Sequence, residues 1–199
     1  PVNSKILFSN IPSHLRASDN TWFAFSKRAR VIAISRDRVK ASELERIEDL
    51  TAAKWKGRIC TRPGSHVYNR SLLASIINAN GPVEAEIWAK GLVTNLARRP
   101  QGNDRAQIKA IHSGECDLGI VNNYYYGKLL NSKVADQRLW AKSVRLVFMN
   151  QNDRGNHVNI SGGGLVKYSK NRENGIKLLE FLTREVAQKL YGEINFEYP

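Results

Sequence analysis

The stretch Cys116-Asp117-Leu118-Gly119-Ile120-Val121-Asn122-Asn123-Tyr124-Tyr125-Tyr126 decides the fold of this chain. Its first half is short and apolar, as a buried β-strand is, and the two asparagines mark the point where the strand ends. The tyrosines that follow are therefore expected at the carboxyl edge of a sheet, where open α/β proteins bind ligands. A run of tyrosines is also typical of amphipathic packing at a domain edge, so this stretch alone leaves both interpretations open.

Strand and helix signals alternate outward from this stretch. Apolar runs predict further strands at three places: Ala29–Ser35, Ile59-Cys60 and Val144–Met149. Capping residues and helical spacing predict helices at four places: one capped by Asn69, one begun by Pro82, one capped by Asp104, and a short one from the tyrosine run. This β-α-β-α-α-β order predicts an α/β fold with a parallel or mixed sheet between helices.

The last third of the chain has a different pattern. His157–Gly164 is strand-like and ends in glycines, and Gly175–Tyr191 has the apolar stripe of a single amphipathic helix. Ser161–Gly164 resembles an anion-binding loop only weakly, because it lacks the lysine and hydroxyl residue of a P-loop and the glycine order of a dinucleotide site. A chain reversal or a hinge is the better explanation of these glycines.

The composition is that of an ordinary soluble globular protein, with 42% hydrophobic and 25% charged residues in 199. No apolar run approaches the roughly 20 residues that span a bilayer. The chain opens at Pro1 without a signal peptide, which predicts an internal cut or a processed end. The net charge of +13 is compatible with a nucleic-acid partner, but the basic residues are scattered, which favours a solvated basic surface.

Motifs for enzymatic chemistry are absent from the sequence. No GxSxG nucleophile elbow occurs. The four histidines also show no zinc-binding spacing: His14, His66, His112 and His157. Hydrolase and transferase activities are therefore poorly supported, and no enzymatic activity is predicted.

Three tyrosines on two loops provide the best candidate site. Tyr68 follows the Ile59-Cys60 strand, while Tyr124 and Tyr125 follow the next one. Taken alone, Tyr68 is typical of an aromatic residue at a helix start. Both loops, however, are expected at one edge of a βαβ sheet, and phenolate is a hard anionic donor that suits Fe(III). Metal coordination explains the set of three better than packing does.

The two cysteines, Cys60 and Cys116, each belong to an apolar, strand-like segment. Adjacent parallel strands would bring them close enough to bond. Two buried thiols in a cytosolic protein would give the same pattern, so the residues alone leave the pairing open.

Several segments together resemble the ferric-iron-binding proteins of bacterial ABC importers, above all their cyanobacterial iron-uptake branch. The segments that carry the resemblance are Trp22–Arg30, Cys60–Asn69, Ser113–Tyr125 and His157–Gly162. The likeness covers essentially the whole chain, and a tyrosine after Pro63-Gly64-Ser65 combined with a later Tyr-Tyr pair is specific. The family implies a class II periplasmic-binding-protein fold, with two lobes, a β-strand hinge and iron in the cleft.

The resemblance also assigns roles to individual residues. Tyr68, Tyr124 and Tyr125 match ligands of Fe(3+), and Arg28 matches a cleft arginine that balances the charge of the metal site. Tyr126 matches no ligand. The periplasmic location that the family implies favours a disulfide between Cys60 and Cys116.

The resemblance further predicts how the lobes are divided. Residues 31–157 would form the second lobe, whereas residues 1–30 and 158–199 would be parts of an incomplete first lobe, with a hinge near Arg30–Ile34 and a return crossing near Val158–Gly162. The implied function is capture of ferric iron for an inner-membrane ABC permease by a periplasmic monomer without nucleic acid. A binding protein of the same fold for an organic or anionic solute is the alternative.

Overall fold

The computed structural model describes residues 1–199 and contains two compact units. The larger unit is Ala29–Val158, and the smaller unit combines Pro1–Arg28 with Asn159–Pro199. The predicted assignment of residues 31–157 to a second lobe, and of the remaining residues to parts of a first lobe, stays a prediction.

The secondary structure alternates between strands and helices, as the sequence predicts. The α-helices are α1 (Lys5–Asn10), α2 (Val67–Asn80), α3 (Pro82–Thr94), α4 (Asp104–His112), α5 (Asn123–Leu130), α6 (Ala135–Lys142), α7 (Arg172–Leu182) and α8 (Glu185–Leu190). The strands are β1 (Phe23–Ser35), β2 (Ile59–Cys60), β3 (Leu118–Asn122), β4 (Val144–Val147) and β5 (Val158–Gly163). Shorter turns of 3₁₀ or π type lie at Ser13–Leu15, Ala41–Glu43, Ile47–Thr51, Ala53–Trp55 and Tyr191–Asn195. None of the helices combines the length and hydrophobicity needed to cross a membrane.

The sheet of the larger unit is mixed, which confirms the predicted α/β fold. Its strand order is β2-β3-β1-β4. Strand β2 runs parallel to β3, whereas β1 is antiparallel to both β3 and β4. Because β2 and β3 are parallel neighbours, the segments that leave their carboxyl ends begin at the same edge of the sheet.

The alternation of side chains along β1 builds a core on each face of this sheet. Ile32 and Ile34 belong to one cluster, together with the fully buried Trp55 and residues of α2 and α3. Val31 and Ala33 belong to another, with residues of α4, α5 and α6. The period of two in a strand explains this division. The smaller unit has a separate core: Val2, Leu7, Ile11, Phe23, Phe25 and Leu179.

Two predicted helix caps are wrong. The cap of α2 is His66, whose side chain accepts a hydrogen bond from the Tyr68 N–H, and not Asn69. The cap of α4 is Asn103, whose side chain accepts from the Ala106 N–H, and not Asp104. Asn69 and Asp104 instead make contacts with buried arginine side chains, and a polar group with such partners is unavailable for capping.

The single helix predicted over Gly175–Tyr191 is also wrong, because the structure has α7 and α8 in its place. The chain leaves the helical path at Thr183 and Arg184. There the Thr183 hydroxyl donates to the Glu180 carbonyl, and the Gln188 amide donates to the Leu182 carbonyl. Side-chain hydrogen bonds thus satisfy carbonyls at the end of α7, which allows the backbone to stop and restart.

Two glycines at the end of β5 and directly after it have a steric explanation. A Cβ atom on Gly162 would lie 2.4 Å from the Phe23 carbonyl oxygen, and one on Gly164 would lie 2.1 Å from that of Thr21. Both distances are far below van der Waals contact. Neither residue has a positive φ. Close approach of two backbones in the smaller unit therefore requires these glycines, and the chain reversal or hinge expected from the sequence stays a prediction.

The disulfide between Cys60 and Cys116 is present, as predicted. Cys60 lies in β2, and Cys116 lies two residues before β3. The pairing of Ile59 with Leu118 brings the two segments together, and the cysteine Cα atoms are 5.9 Å apart. The parallel pairing of β2 with β3 thus supplies the geometry that the bond requires.

Candidate metal centre

Two helix starts bring tyrosines together at one edge of the sheet. Tyr68 is the second residue of α2, which follows β2, and Tyr124 is the second residue of α5, which follows β3. Because these strands are parallel neighbours, the two helices begin near each other. The hydroxyl oxygens of Tyr68 and Tyr124 are 3.1 Å apart and share a hydrogen bond.

The other two tyrosines of the run have different surroundings. The ring of Tyr125 lies against that of Tyr124, with a centroid distance of 4.3 Å, and it is partly exposed. Tyr126 packs against the core that contains Ile108 and Leu129. The structure therefore brings together Tyr68, Tyr124 and Tyr125, and it directs Tyr126 into packing.

Tyr124 is held in its neutral form near pH 7. Its side chain is only 8% exposed. Burial, followed by hydrogen bonding with Tyr125 and with Tyr68, raises the pKa of Tyr124 well above the ordinary value for a phenol. Only a strong electrophile at the oxygen would displace this proton at neutral pH, and a trivalent metal ion is one.

Four basic side chains surround the three rings. The guanidinium carbons of Arg62 and Arg30 lie 4.8 Å and 5.7 Å from the centroid of Tyr68. Arg105 lies 5.8 Å from the centroid of Tyr125, and Lys128 lies 5.3 Å from that of Tyr124. These contacts place positive charge beside each of the three rings. The structure contains no cluster of three or more histidine, cysteine, aspartate or glutamate residues that could hold a metal ion.

Asp104 supplies the buried negative charge beneath this site. Arg30 Nη1 donates to its Oδ2 at 2.7 Å, and Arg62 Nη1 donates to its Oδ1 at 3.0 Å. Asp104 is fully buried, and Arg30 is 3% exposed. One carboxylate for two guanidinium groups leaves a net positive charge next to Tyr68.

His66 and His157 lie near the tyrosines and the buried arginines, but they do not belong to a cluster of metal-binding side chains. His66 caps α2, and its ring meets the Tyr68 ring edge-on at 4.6 Å. Burial and the neighbouring Arg62 lower the pKa of His66. His157 Nε2 lies 3.1 Å from the Ser71 hydroxyl, and burial lowers its pKa too. Both imidazoles are therefore neutral near pH 7.

Arg28 belongs to the smaller unit. Its Nη1 donates to the Ser161 hydroxyl at 2.6 Å, and the Ser161 hydroxyl donates in turn to Glu197 at 3.3 Å. Its predicted role, to balance the charge of a metal site, stays a prediction.

Arg30, Arg62 and Asp104 are the residues that sequence reasoning missed. The signal for Arg30 was present, because a charged residue directly before the apolar run Val31–Ile34 must find a partner if the strand is buried. Nothing in the sequence named that partner, which comes from α4, 74 residues later.

The chain matches the sequence profile of the bacterial extracellular solute-binding proteins over residues 3–199. It is 50% identical over 199 residues to iron uptake protein A1 of Synechocystis sp., and the match covers 100% of this chain and 55% of that protein. The chain thus spans about half the length of this relative.

Two solved structures of iron-binding proteins superpose on the whole of this chain. The Trichodesmium protein IdiA (FutA), in complex with iron and citrate, superposes with a TM-score of 0.96 at 50% identity, over 100% of this chain and 63% of that one. The ferric binding protein from Campylobacter jejuni superposes with a TM-score of 0.95 at 42% identity, again over 100% and 63%.

Proposed function

Because this chain belongs to the bacterial extracellular solute-binding proteins, we propose that it captures ferric iron through tyrosinate ligands in the periplasm and delivers it to an inner-membrane ABC permease. In this role it is a carrier and not an enzyme, acts as a monomer and has no nucleic-acid partner. The names of its relatives support iron as the cargo, since one is an iron uptake protein and another a major ferric iron-binding protein.

The observation that carries this proposal is the 3.1 Å separation of the Tyr68 and Tyr124 oxygens, with the ring of Tyr125 beside that of Tyr124. Oxygen atoms this close can become ligands of one ion with little rearrangement. They are the hard donors that Fe(III) prefers, and no thiolate or imidazole set competes with them in the structure.

Charge balance supports a trivalent ion. Three phenolates neutralise the three charges of Fe(III), so the loaded site carries no large excess charge. The basic groups of Arg62, Arg105 and Lys128 lie beside the rings and offset the charge of any further anionic ligand.

The proposal also assigns the two parts of the chain to lobes and gives a role to Arg28. We assign residues 31–157 to the second lobe and residues 1–30 and 158–199 to parts of the first lobe, and we assign Arg28 to the charge balance of the ferric site. In that role Arg28 offsets the negative charge that a fourth, anionic ligand adds to the ferric site.

A ferric titration tests the proposal. The apo chain is mixed with ferric nitrilotriacetate, and its visible spectrum is recorded. We expect a phenolate-to-iron charge-transfer band that saturates at one ion per chain. A chain that stays colourless at a large excess of ferric iron would refute the proposal.

The basic side chains around the tyrosines also favour a second candidate, a carrier of an organic or anionic solute that uses the rings as stacking surfaces. Citrate added without iron distinguishes the two. A rise in melting temperature with citrate, together with no colour on addition of ferric iron, would favour this second function.

A further inference from the structure

A buried ion pair contacts both helix starts that carry the tyrosines. On the α5 side, Asp104 Oδ2 accepts a hydrogen bond from the backbone N–H of Asn122 at 2.7 Å. Asn122 is the residue that precedes α5, two positions before Tyr124. Arg30 faces Asn122 across the antiparallel pairing of β1 with β3 and donates to its side-chain oxygen at 3.2 Å.

On the α2 side, the same arginine reaches the residue next to Tyr68. Arg30 Nη2 donates to Asn69 Oδ1 at 2.7 Å. The Asn69 amide group then donates to the Thr61 hydroxyl at 3.0 Å and to the Arg62 carbonyl at 2.9 Å. The start of α2 is thus tied to the loop that follows β2 and to the buried ion pair.

From these contacts we propose that Arg30 and Asp104 are positioning residues that set the spacing of the Tyr68 and Tyr124 oxygens and, through it, the affinity and geometry of the ferric site. This inference rests on the proposed function. A guanidinium group is a rigid planar fork, so one Arg30 side chain fixes the start of α2 relative to the start of α5. Groups that hold the ligands in this way are a general determinant of metal affinity.

The chain contains a matched control at the other end of β3. Asp117 pairs with Arg38 and with Arg58, so it too is one carboxylate shared by two arginines. It precedes β3, whereas Asn122 ends that strand, which separates the two positions by roughly 16 Å along an extended chain. Asp117 has no contact with a tyrosine-bearing helix start among its hydrogen bonds.

The first comparison is Asp104→Asn against Asp117→Asn, each titrated with ferric nitrilotriacetate. We expect Asp104→Asn to weaken ferric binding on the order of tenfold to a hundredfold, the range typical of outer-shell partners, and to shift the charge-transfer band. Asp117→Asn is expected to retain the wild-type affinity and band even though its melting temperature falls.

A second comparison avoids any change of charge and keeps both members of the buried ion pair. Asn69→Ala removes the hydrogen bond from Arg30 to α2, together with the hydrogen bonds from the Asn69 amide to Thr61 and to the Arg62 carbonyl. Asn80→Ala removes a similar contact at the other end of α2, where the Asn80 amide donates to Glu48 at 2.8 Å. We expect Asn69→Ala to weaken ferric binding and shift the band, and Asn80→Ala to leave both unchanged. Arg30→Lys, which keeps the charge but not the fork, should behave like Asn69→Ala.

Two results would overturn the inference. One is a wild-type ferric affinity and an unchanged charge-transfer band in Asn69→Ala. This result refutes the positioning role even if Asp104→Asn does not fold. The other is a loss of ferric binding in the controls Asp117→Asn and Asn80→Ala as large as the loss in Asp104→Asn and Asn69→Ala. Such a result would show that the variants act through the general stability of the chain.

Failure of the proposed function is distinguishable from failure of the positioning role. If the wild-type chain shows no ferric band, the apo chain labelled with ¹³C at the tyrosine Cζ atoms still provides a test by NMR. Shifts of the Tyr68 and Tyr124 signals in Asn69→Ala, and not in Asn80→Ala, would support positioning. Unchanged Tyr68 and Tyr124 signals in Asn69→Ala would refute it.

Discussion

At the scale of single residues, three identical neighbours have three different environments. Tyr124 is buried against Tyr68, Tyr125 is partly exposed beside it, and Tyr126 packs into the core. Consecutive residues of a helix point about 100° apart, so a run of three tyrosines at the start of α5 cannot present all its oxygens to one site.

This difference predicts unequal effects of removing the hydroxyl groups. Tyr124→Phe and Tyr125→Phe keep the rings and lose an oxygen, so packing survives while ferric affinity and visible absorbance fall. We expect a loss of at least about tenfold in affinity, the lower end of what an outer-shell change costs. Tyr126→Phe should leave both quantities nearly unchanged. An equal loss of visible absorbance in Tyr126→Phe and Tyr124→Phe would show that Tyr124 and Tyr125 are wrongly assigned as the ligand pair.

The raised pKa of Tyr124 predicts a pH dependence of ferric binding. The phenol is protonated throughout the neutral range, so iron must displace its proton, and binding weakens as the pH falls. Each displaced proton changes the apparent affinity by about tenfold per pH unit. The slope of log affinity against pH should therefore be about one unit smaller in Tyr124→Phe than in the wild type. Competition with a chelator at several pH values measures both slopes, and identical slopes would contradict this role.

At the scale of elements, polar contacts between sequence-distant segments stabilise the larger unit. Glu48, in the 3₁₀ turn Ile47–Thr51, accepts hydrogen bonds from Asn80 at the end of α2 and from Asn150 and Arg154 in a later turn. Burial opposes ionisation of Glu48, but the hydrogen bonds from Arg154, Asn80 and Asn150 lower its pKa from the ordinary 4.5 to about 2.

The lowered pKa of Glu48 predicts acid sensitivity. The unfolded chain binds the Glu48 proton more readily than the folded chain does, so the stabilisation is present above about pH 4.5 and is lost as the pH falls towards 2. Glu48→Gln should therefore be less stable than the wild type at neutral pH and lose less stability on acidification. Urea unfolding at neutral and acid pH measures this, with Glu84→Gln on the exposed face of α3 as the control. A wild-type acid response in Glu48→Gln would contradict it.

The glycines of β5 give a second prediction at this scale. Gly162→Ala places a methyl group 2.4 Å from the Phe23 carbonyl oxygen, so the smaller unit must distort. Overpacking of this kind costs about 1–3 kcal/mol. Gly192→Ala in the same unit is the steric control, since open space surrounds its Cβ position and its φ is not positive. Thermal unfolding should show the larger loss in Gly162→Ala, and equal losses would contradict the steric explanation.

At the scale of the whole molecule, each unit has its own core. The two clusters on the faces of the sheet lie within the larger unit, as do the disulfide and the three candidate ligands. The third cluster lies within the smaller unit. Loss of the disulfide should therefore act on the larger unit.

Replacing both cysteines by alanine tests this expectation. The disulfide closes a loop with a sequence separation of 56 residues, for which the chain-entropy relation gives about 4 kcal/mol. The double variant should lose stability of this order in the larger unit, read from Trp55 and Trp88 fluorescence, and Trp22 in the smaller unit should report little change. The denatured, unreduced wild type should show no reactive thiols, and two thiols per chain would contradict the disulfide.

Much of the fold and part of the site could be predicted from the sequence alone. The apolar run Leu118–Val121 and the asparagines after it determined a strand, its end and the place of Tyr124, because burial and turn chemistry are local properties. The equivalence of the β2 and β3 edges also followed from chain order, since a helical crossover joins parallel strands. These two facts suffice to bring Tyr68 and Tyr124 to one edge of the sheet.

Only the tertiary structure decided what lies beneath that edge. Asp104 reads as a helix cap and Asn69 as another, and both would be reasonable caps in isolated helices. In the folded chain, Arg30 is buried opposite Asn122, and a buried guanidinium must be paired, so it recruits a carboxylate and an amide from segments 74 and 39 residues away. The partners of a buried charge depend on which segments the fold brings within hydrogen-bonding distance, and no local pattern of residues contains that information.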